Sequence, residues 1–143
     1  MKKIVTEERY EEHGSPMFWI YLFIGAMWVL MLILHIADGD SMIQVVCSAF
    51  CMAASFLTAG LWSGYHLVVD EKGIAVKEAG KLRTIAWSEI ERVTVHNKVS
   101  FWKSTGLTFH MLDPKAKPYY INKKDELLPL VKRYTELPIE EAA

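Results

Sequence analysis

Two long stretches of the chain carry no Asp, Glu, Lys or Arg: residues 17–37, which are 21 positions, and residues 41–69, which are 29. An α-helix rises about 1.5 Å per residue, so crossing a ~30 Å hydrocarbon core takes ~20 residues. Residues 17–37 satisfy that length once and residues 42–62 a second time. Between them lies the polar turn Asp38-Gly39-Asp40-Ser41. So short a connection predicts two antiparallel neighbouring helices. A buried soluble hairpin is the competing reading, but too little chain remains to cover two helices that are apolar all round. The first apolar run is too long for a typical signal-peptide core and is preceded by four glutamates, so it reads as a retained span.

From residue 65 onward the pattern changes to short alternating runs split by turn signals. Strands are predicted at 66–70, 73–77, 82–87, 90–96, 106–112 and 117–121. Asp125 opens a helix over 125–134 whose apolar stripe is Leu127, Leu128, Val131 and Tyr134. Sequential strands followed by one helix predict a small antiparallel sheet or barrel capped by a C-terminal helix. The organisation read from the pattern has four parts. Residues 1–16 form an N-terminal segment, and residues 17–62 the two-helix hairpin. Residues 65–135 form an α+β domain, and residues 136–143 a disordered tail.

Composition sharpens this only in part. At 143 residues with a net charge of −1, the chain suits one small domain plus the hairpin and excludes a multidomain enzyme. Basic residues set the orientation. Lys2, Lys3 and Arg9 precede the first helix, the central turn has none, and 13 Lys and Arg lie between residues 65 and 135. Both termini are expected on the cytoplasmic side. In the second helix Cys47, Cys51, Ser55 and Ala59 form a small-residue stripe, expected to pack near Gly25 of the first. Two thiols in hydrocarbon make a poor metal or redox site. His35 reads as an interfacial histidine with no acid in either helix to pair with.

Three short stretches resemble a known family. Val69-Asp70-Glu71-Lys72-Gly73-Ile74 is a strand, acidic turn and Gly-Ile. Ile85-Ala86-Trp87-Ser88-Glu89-Ile90 is a Trp-Ser-acid-Ile element before a strand. Tyr119-Tyr120-Ile121-Asn122-Lys123-Lys124 leads into the last helix. Together with the two preceding spans, they resemble the YcxB-like bacterial membrane proteins. Those have two transmembrane helices and a cytoplasmic domain like a bacterial pleckstrin-homology domain. Asn122 departs from the Ile-Pro-Lys found in many members. The resemblance, echoed by Val5-Thr6-Glu7-Glu8-Arg9-Tyr10, implies a two-pass protein of the bacterial inner membrane whose residues 1–16 can add a strand to the sheet, and it brings no catalytic residues with it. On the residues themselves, Trp87 and Ile90 read as core anchors, with Ser88 capping the bend between them.

Catalytic constellations are not evident: there is no phosphate-binding glycine loop, no zinc-ligand spacing and no acid–base pair at motif spacing. The expectation is therefore a non-enzyme without cofactor or metal. His66, His96 and His110 fall in predicted strands, and ordinary strand histidines are favoured over a metal site. Between residues 65 and 135 basic residues exceed acidic ones by five. Lys115, Lys117, Lys123 and Lys124 are candidates for contact with anionic lipid. Lys98, Phe101, Trp102 and Lys103 are candidates for docking a partner or entering the membrane interface. No nucleic-acid recognition motif accompanies the basic residues. The expected function is a membrane-anchored module that binds a protein partner or assembles with itself. The alternative is a small membrane immunity or bacteriocin-resistance protein.

Overall fold

The structure, a computed structural model, describes residues 2–97, 105–122 and 124–142. Its elements in chain order are β1 (Lys2–Val5), β2 (Tyr10–His13), α1 (Pro16–Ala37), α2 (Met42–Trp62), β3 (His66–Asp70), β4 (Gly73–Glu78) and β5 (Lys81–Ala86). A 3-10 turn (Trp87–Glu89) then leads to β6 (Ile90–His96), β7 (Gly106–Met111), β8 (Tyr119–Ile121), α3 (Lys124–Tyr134) and β9 (Ile139–Glu141). The layout is thus two long apolar helices, then antiparallel and mixed sheets with a helix near the C-terminus. Two sheets form, with orders β1-β2-β3-β4-β5 and β8-β7-β6-β9. The chain divides into two compact units. One is Met1–Lys2, His13–His66 and Lys77–Leu82; the other is Lys3–Glu12, Leu67–Val76 and Arg83–Ala143.

In the first unit both helices begin with built caps. The Ser15 hydroxyl accepts from the Met17 N–H, and Pro16 supplies a helical φ at the first position. Ser41 and Gln44 form a reciprocal capping box at α2. Gly39, at φ +68, makes the reversal between the helices. The Gly14 N–H donates to the Tyr65 carbonyl at 2.9 Å, and the His13 and His66 rings stack with centroids 3.9 Å apart. Entry to the hairpin and exit from it are therefore clasped side by side. Both helices are long and apolar enough to cross a membrane.

The α1–α2 contact differs in detail from the expected stripe. Ser48, Ser55 and Ala59 are the buried residues of α2, while Cys47 is exposed and Cys51 half-buried. A strict spacing of four drifts around a 3.6-residue helix, so Ser48 replaces Cys47 on the packed face. Gly25 is the one buried residue of α1, and a Cβ there would lie 2.8 Å from the Phe56 ring. Gly25→Leu is expected to separate the helices and lower the melting temperature of the hairpin in micelles. Gly25→Ala is expected to cost far less, because the partly exposed Phe56 ring can swing aside. A thermal scan comparing the two checks this. His35 has a partner at the end of the hairpin: its Nδ1 lies 2.5 Å from Asp40 Oδ2. The partner comes from the turn, not from a helix.

The second unit has a continuous apolar core. Leu67, Val69, Ile74, Val76 and Ile85 come from the first sheet. Ile90, Val93, Val95, Leu107, Phe109 and Ile121 come from the second. Leu127, Leu130 and Val131 of α3 complete it, so Leu130 and not Leu128 fills the centre of the helical stripe. Pro129 stands in the sixth position of α3, and its ring is exposed. Asp125 and Glu126 in the first turn and Lys132 and Arg133 in the last match the helix dipole.

Both chain ends are more ordered than the pattern suggested. The N-terminal segment forms two strands. Their connecting turn is closed by the Thr6 hydroxyl, which accepts from the Arg9 N–H at 2.9 Å. That turn is tied to α3: Arg133 Nη1 donates to the Glu7 carbonyl at 3.2 Å, and the Tyr134 hydroxyl to the Glu8 carbonyl at 2.5 Å. The C-terminal segment is not the disordered tail expected. Ile139–Glu141 pairs with β6 in parallel. Its side chains are all exposed, so no periodic apolar signal marks it; backbone hydrogen bonds hold it instead.

Candidate functional site

Strand β5 leads directly into the 3-10 turn, and the loop over residues 112–118 follows β7. A cleft of about 420 Å³ lies between these segments. Ile85, Met111 and Leu112 give it apolar walls, and Arg83, Ser88, Glu89 and Asp113 supply its polar groups. The volume falls in the range of ligand and side-chain pockets, which run from about 300 to 1,000 Å³.

Each charged group of the cleft already has structural work. Arg83 Nη2 donates to the Lys117 carbonyl at 2.8 Å, and its guanidinium lies 5.1 Å from the centre of the Tyr119 ring. Glu89 Oε2 accepts from the Ala86 N–H at 3.1 Å. Glu89, not Ser88, therefore caps the bend. Asp113 Oδ1 accepts from the Lys115 N–H at 2.9 Å, closing an Asx turn before the loop. No pair among these groups is set out as nucleophile and base. The arrangement suits non-covalent contact with an extended segment or a single side chain.

The Trp-Ser-acid-Ile element is structural. Trp87 Nε1–H donates to the Asp70 carbonyl at 2.9 Å, and its ring stacks on Tyr134 at 6.2 Å. Trp87 is half-buried and Ile90 fully buried, so Ile90 is the deeper anchor. The strand histidines do not converge on one point. His96 shares a hydrogen bond with Thr108 at 2.8 Å, and His110 shares one with Thr94 at 2.8 Å, both across the β6–β7 ladder. His66 stacks on His13.

Of the contact residues expected from the sequence, Lys98, Phe101, Trp102, Lys103 and Lys123 lie outside the described residues. Lys124 opens α3, and its side chain lies outside the described set too. Lys115 and Lys117 are exposed and flank Ala116 in the loop that walls the cleft. The sequence reading missed Arg83 and Asp113 as parts of this wall. Asp113-Pro114 is a turn signal in the sequence, but nothing local connects it with Arg83, thirty residues earlier.

A second cleft, of about 470 Å³, is lined by Val5, Thr6, Glu7, Asp125, Glu126 and Leu130, among others. Glu126 pairs there with Lys3. Its Oε2 is buried without a hydrogen-bond partner among the described residues.

No protein-family model matches this sequence, and a search of curated proteins gives no match.

Proposed function

We propose that the chain is a membrane-anchored, non-enzymatic module with a pleckstrin-homology-like domain. It acts in protein interaction or self-assembly at the cytoplasmic leaflet of a bacterial membrane. The observation that carries this reading is the apolar surface of the hairpin. Trp19, Phe23, Leu30, Ile33 and Ile36 of α1, and Met42, Ile43, Phe50 and Leu57 of α2, are all more than half exposed. Leaving such a side chain in water forgoes about 1.5–3 kcal/mol each. A lipid environment removes that penalty, and neither helix carries a charged residue to oppose insertion.

Orientation follows from the basic residues. The turn between the helices has two Asp and no Lys or Arg, whereas basic residues stand on both flanks of the hairpin. The clasp between Gly14 and Tyr65 also brings the two hairpin ends together, as a two-pass anchor requires. Two sheets with a helix following them support the pleckstrin-homology-like reading. The parallel strand β9 is an addition to that plan. The committed polar groups of the first cleft support binding over catalysis.

Single-cysteine labelling tests the anchor. With Cys47 and Cys51 replaced by Ser, Asp38→Cys is expected to react with a membrane-impermeant maleimide added to intact cells. Lys115→Cys is expected to react only after permeabilisation. The reverse pattern, or recovery of the protein in the soluble fraction, sinks the reading. Crosslinking in native membranes followed by mass spectrometry then tests for a partner or a second copy.

A further inference from the structure

Strands β2 and β3 are neighbours in the five-stranded sheet, and between them the chain makes its whole helical hairpin. At that junction the His13 ring of β2 stacks on the His66 ring of β3, with centroids 3.9 Å apart and planes 16° apart. Glu11 stands two positions before His13 on the same four-residue strand. Side chains alternate along a strand, so Glu11 and His13 share one face of it. The carboxylate and the two imidazoles each bring a ligand atom within 4.8 Å of the others, the only such set among the described residues. His13 is exposed, and Glu11 and His66 are half-buried, so an ion can enter from solvent.

We propose that Glu11, His13 and His66 bind one divalent transition-metal ion, with zinc the ion of matching chemistry. Imidazole nitrogen suits zinc, nickel and copper, whereas calcium and magnesium take oxygen ligands. Two histidines and one carboxylate are a zinc donor set that leaves a fourth position for water. In a tetrahedral site with bonds of about 2.0–2.1 Å, the donor atoms stand about 3.4 Å apart. Atoms already within 4.8 Å reach that spacing by small rotations about side-chain bonds. Glu11 Oε2 also meets Arg9 Nη2 at 3.1 Å, but the Arg9 side chain is half exposed and turns aside at little cost. A carboxylate has two oxygens and about four acceptor sites, so this ion pair does not exhaust it.

The ion acts as a clasp. His13 lies three positions before α1 and His66 four positions after α2. Binding fastens the entry of the hairpin to its exit, beside the bond from the Gly14 N–H to the Tyr65 carbonyl. An ion held only by the joined strands stabilises the joined state by mass action. The two histidines stand more than fifty positions apart, so no local ligand spacing marks the set in the sequence. The site goes beyond the proposed function and holds whether the module binds a partner or itself.

The test is zinc titration of the full chain in detergent micelles, stripped of metal, without a histidine tag, and with Cys47 and Cys51 replaced by Ser so that no thiol competes. Calorimetry is expected to show one saturable site per chain in the micromolar range. His13→Ala and His66→Ala are each expected to weaken it more than about tenfold, because losing even an outer partner of a metal ligand costs about 10–100-fold. Glu11→Gln keeps the size, removes the charge and is expected to weaken it as well. His66→Cys supplies a thiolate and is expected to recover the binding that His66→Ala loses. Excess calcium is not expected to compete. Melting temperatures give a second readout, each chain being compared with its own metal-free form. Zinc is expected to raise that of the parent chain by several degrees and to leave His13→Asn and His66→Asn unmoved. Saturation only at millimolar zinc overturns the proposal, as does equal affinity in the parent chain and either histidine variant. Unchanged affinity in Glu11→Gln overturns the three-ligand set. Loss of binding in His35→Gln, which alters the pair with Asp40 instead, places the ion elsewhere and overturns it too.

Discussion

Gly73→Ala is expected to unfold most of the sheet-bearing unit, although it adds a single methyl group. The turn between β3 and β4 is set by Asp70, whose Oδ1 accepts from the Lys72 N–H at 2.9 Å. The chain then leaves through Gly73 at φ +133, where an L side chain is strained. A Cβ there would lie 2.1 Å from the Ile85 carbonyl oxygen and 3.0 Å from the Ala86 Cα. Both are backbone atoms of β5, the next strand in the sheet, and cannot swing away as a side-chain end could. Backbone strain alone costs about 1–3 kcal/mol. Pushing β5 away adds the loss of ladder bonds and exposes Ile85, which is 2% accessible. Against a typical total stability of about 5–15 kcal/mol, the sum is decisive for a domain this small. Gly80→Ala is the control. Gly80 also has a positive φ, +77, but its nearest neighbour would be a leucine methyl at 3.9 Å. It should cost about 1 kcal/mol. Thermal unfolding of the full chain in micelles, followed by near-UV circular dichroism, separates the two. Equal losses would mean that conformational strain alone matters at position 73.

How much of this was legible from the sequence depends on where the information sits. The hairpin was, because two uncharged runs around a four-residue polar turn admit few readings. Strand β6 falls at 90–96 as read, since Val93 and Val95 alternate between turn signals. On α3 the i, i+3, i+4, i+7 spacing runs through Leu127, Leu130, Val131 and Tyr134, so the burial of Leu130 and not Leu128 was open to the sequence and the stripe drawn through Leu128 is the poorer fit. The three N-terminal and C-terminal strands, β1, β2 and β9, were the hardest. Strand β2 pairs with β3 more than fifty positions later, β9 pairs with β6 forty-six positions earlier, and β1 is an exposed edge strand beside β2, so none of the three shows a local apolar period. Tyr10 and Glu12 illustrate the point. The Tyr10 hydroxyl donates to Glu12 at 2.9 Å in the interior of the fold. In sequence, Glu12 is one of four glutamates in a polar stretch and carries no mark of burial. The cleft near Arg83 was illegible for a related reason, since its walls come from β5 and a loop thirty residues later.

The second large effect is expected at Phe109. Phe109→Ala should destabilise the sheet-bearing unit by about 3–5 kcal/mol, the usual cost of emptying a buried aromatic site. Phe109 is fully inaccessible at the middle of β7. It is flanked by Val93 on β6 and Tyr119 on β8, and α3 packs against the same strand. The neighbours are ladder-bonded on both sides, so they cannot close the void without breaking register. Phe109→Leu keeps much of the volume and should cost distinctly less. Leu112→Ala, just beyond the same strand and 59% exposed, should stay within about 0.5 kcal/mol. The informative readout is double. Near-UV circular dichroism and proteolysis should report the loss of the sheets, while the protein stays in the membrane fraction. The helical hairpin forms its own unit around Gly25, Ser48, Ser55 and Ala59, and none of these residues depends on the ring of Phe109. Loss of membrane retention in Phe109→Ala would mean that the hairpin is not an anchor in its own right. That result would remove the physical basis for reading the chain as a tethered module.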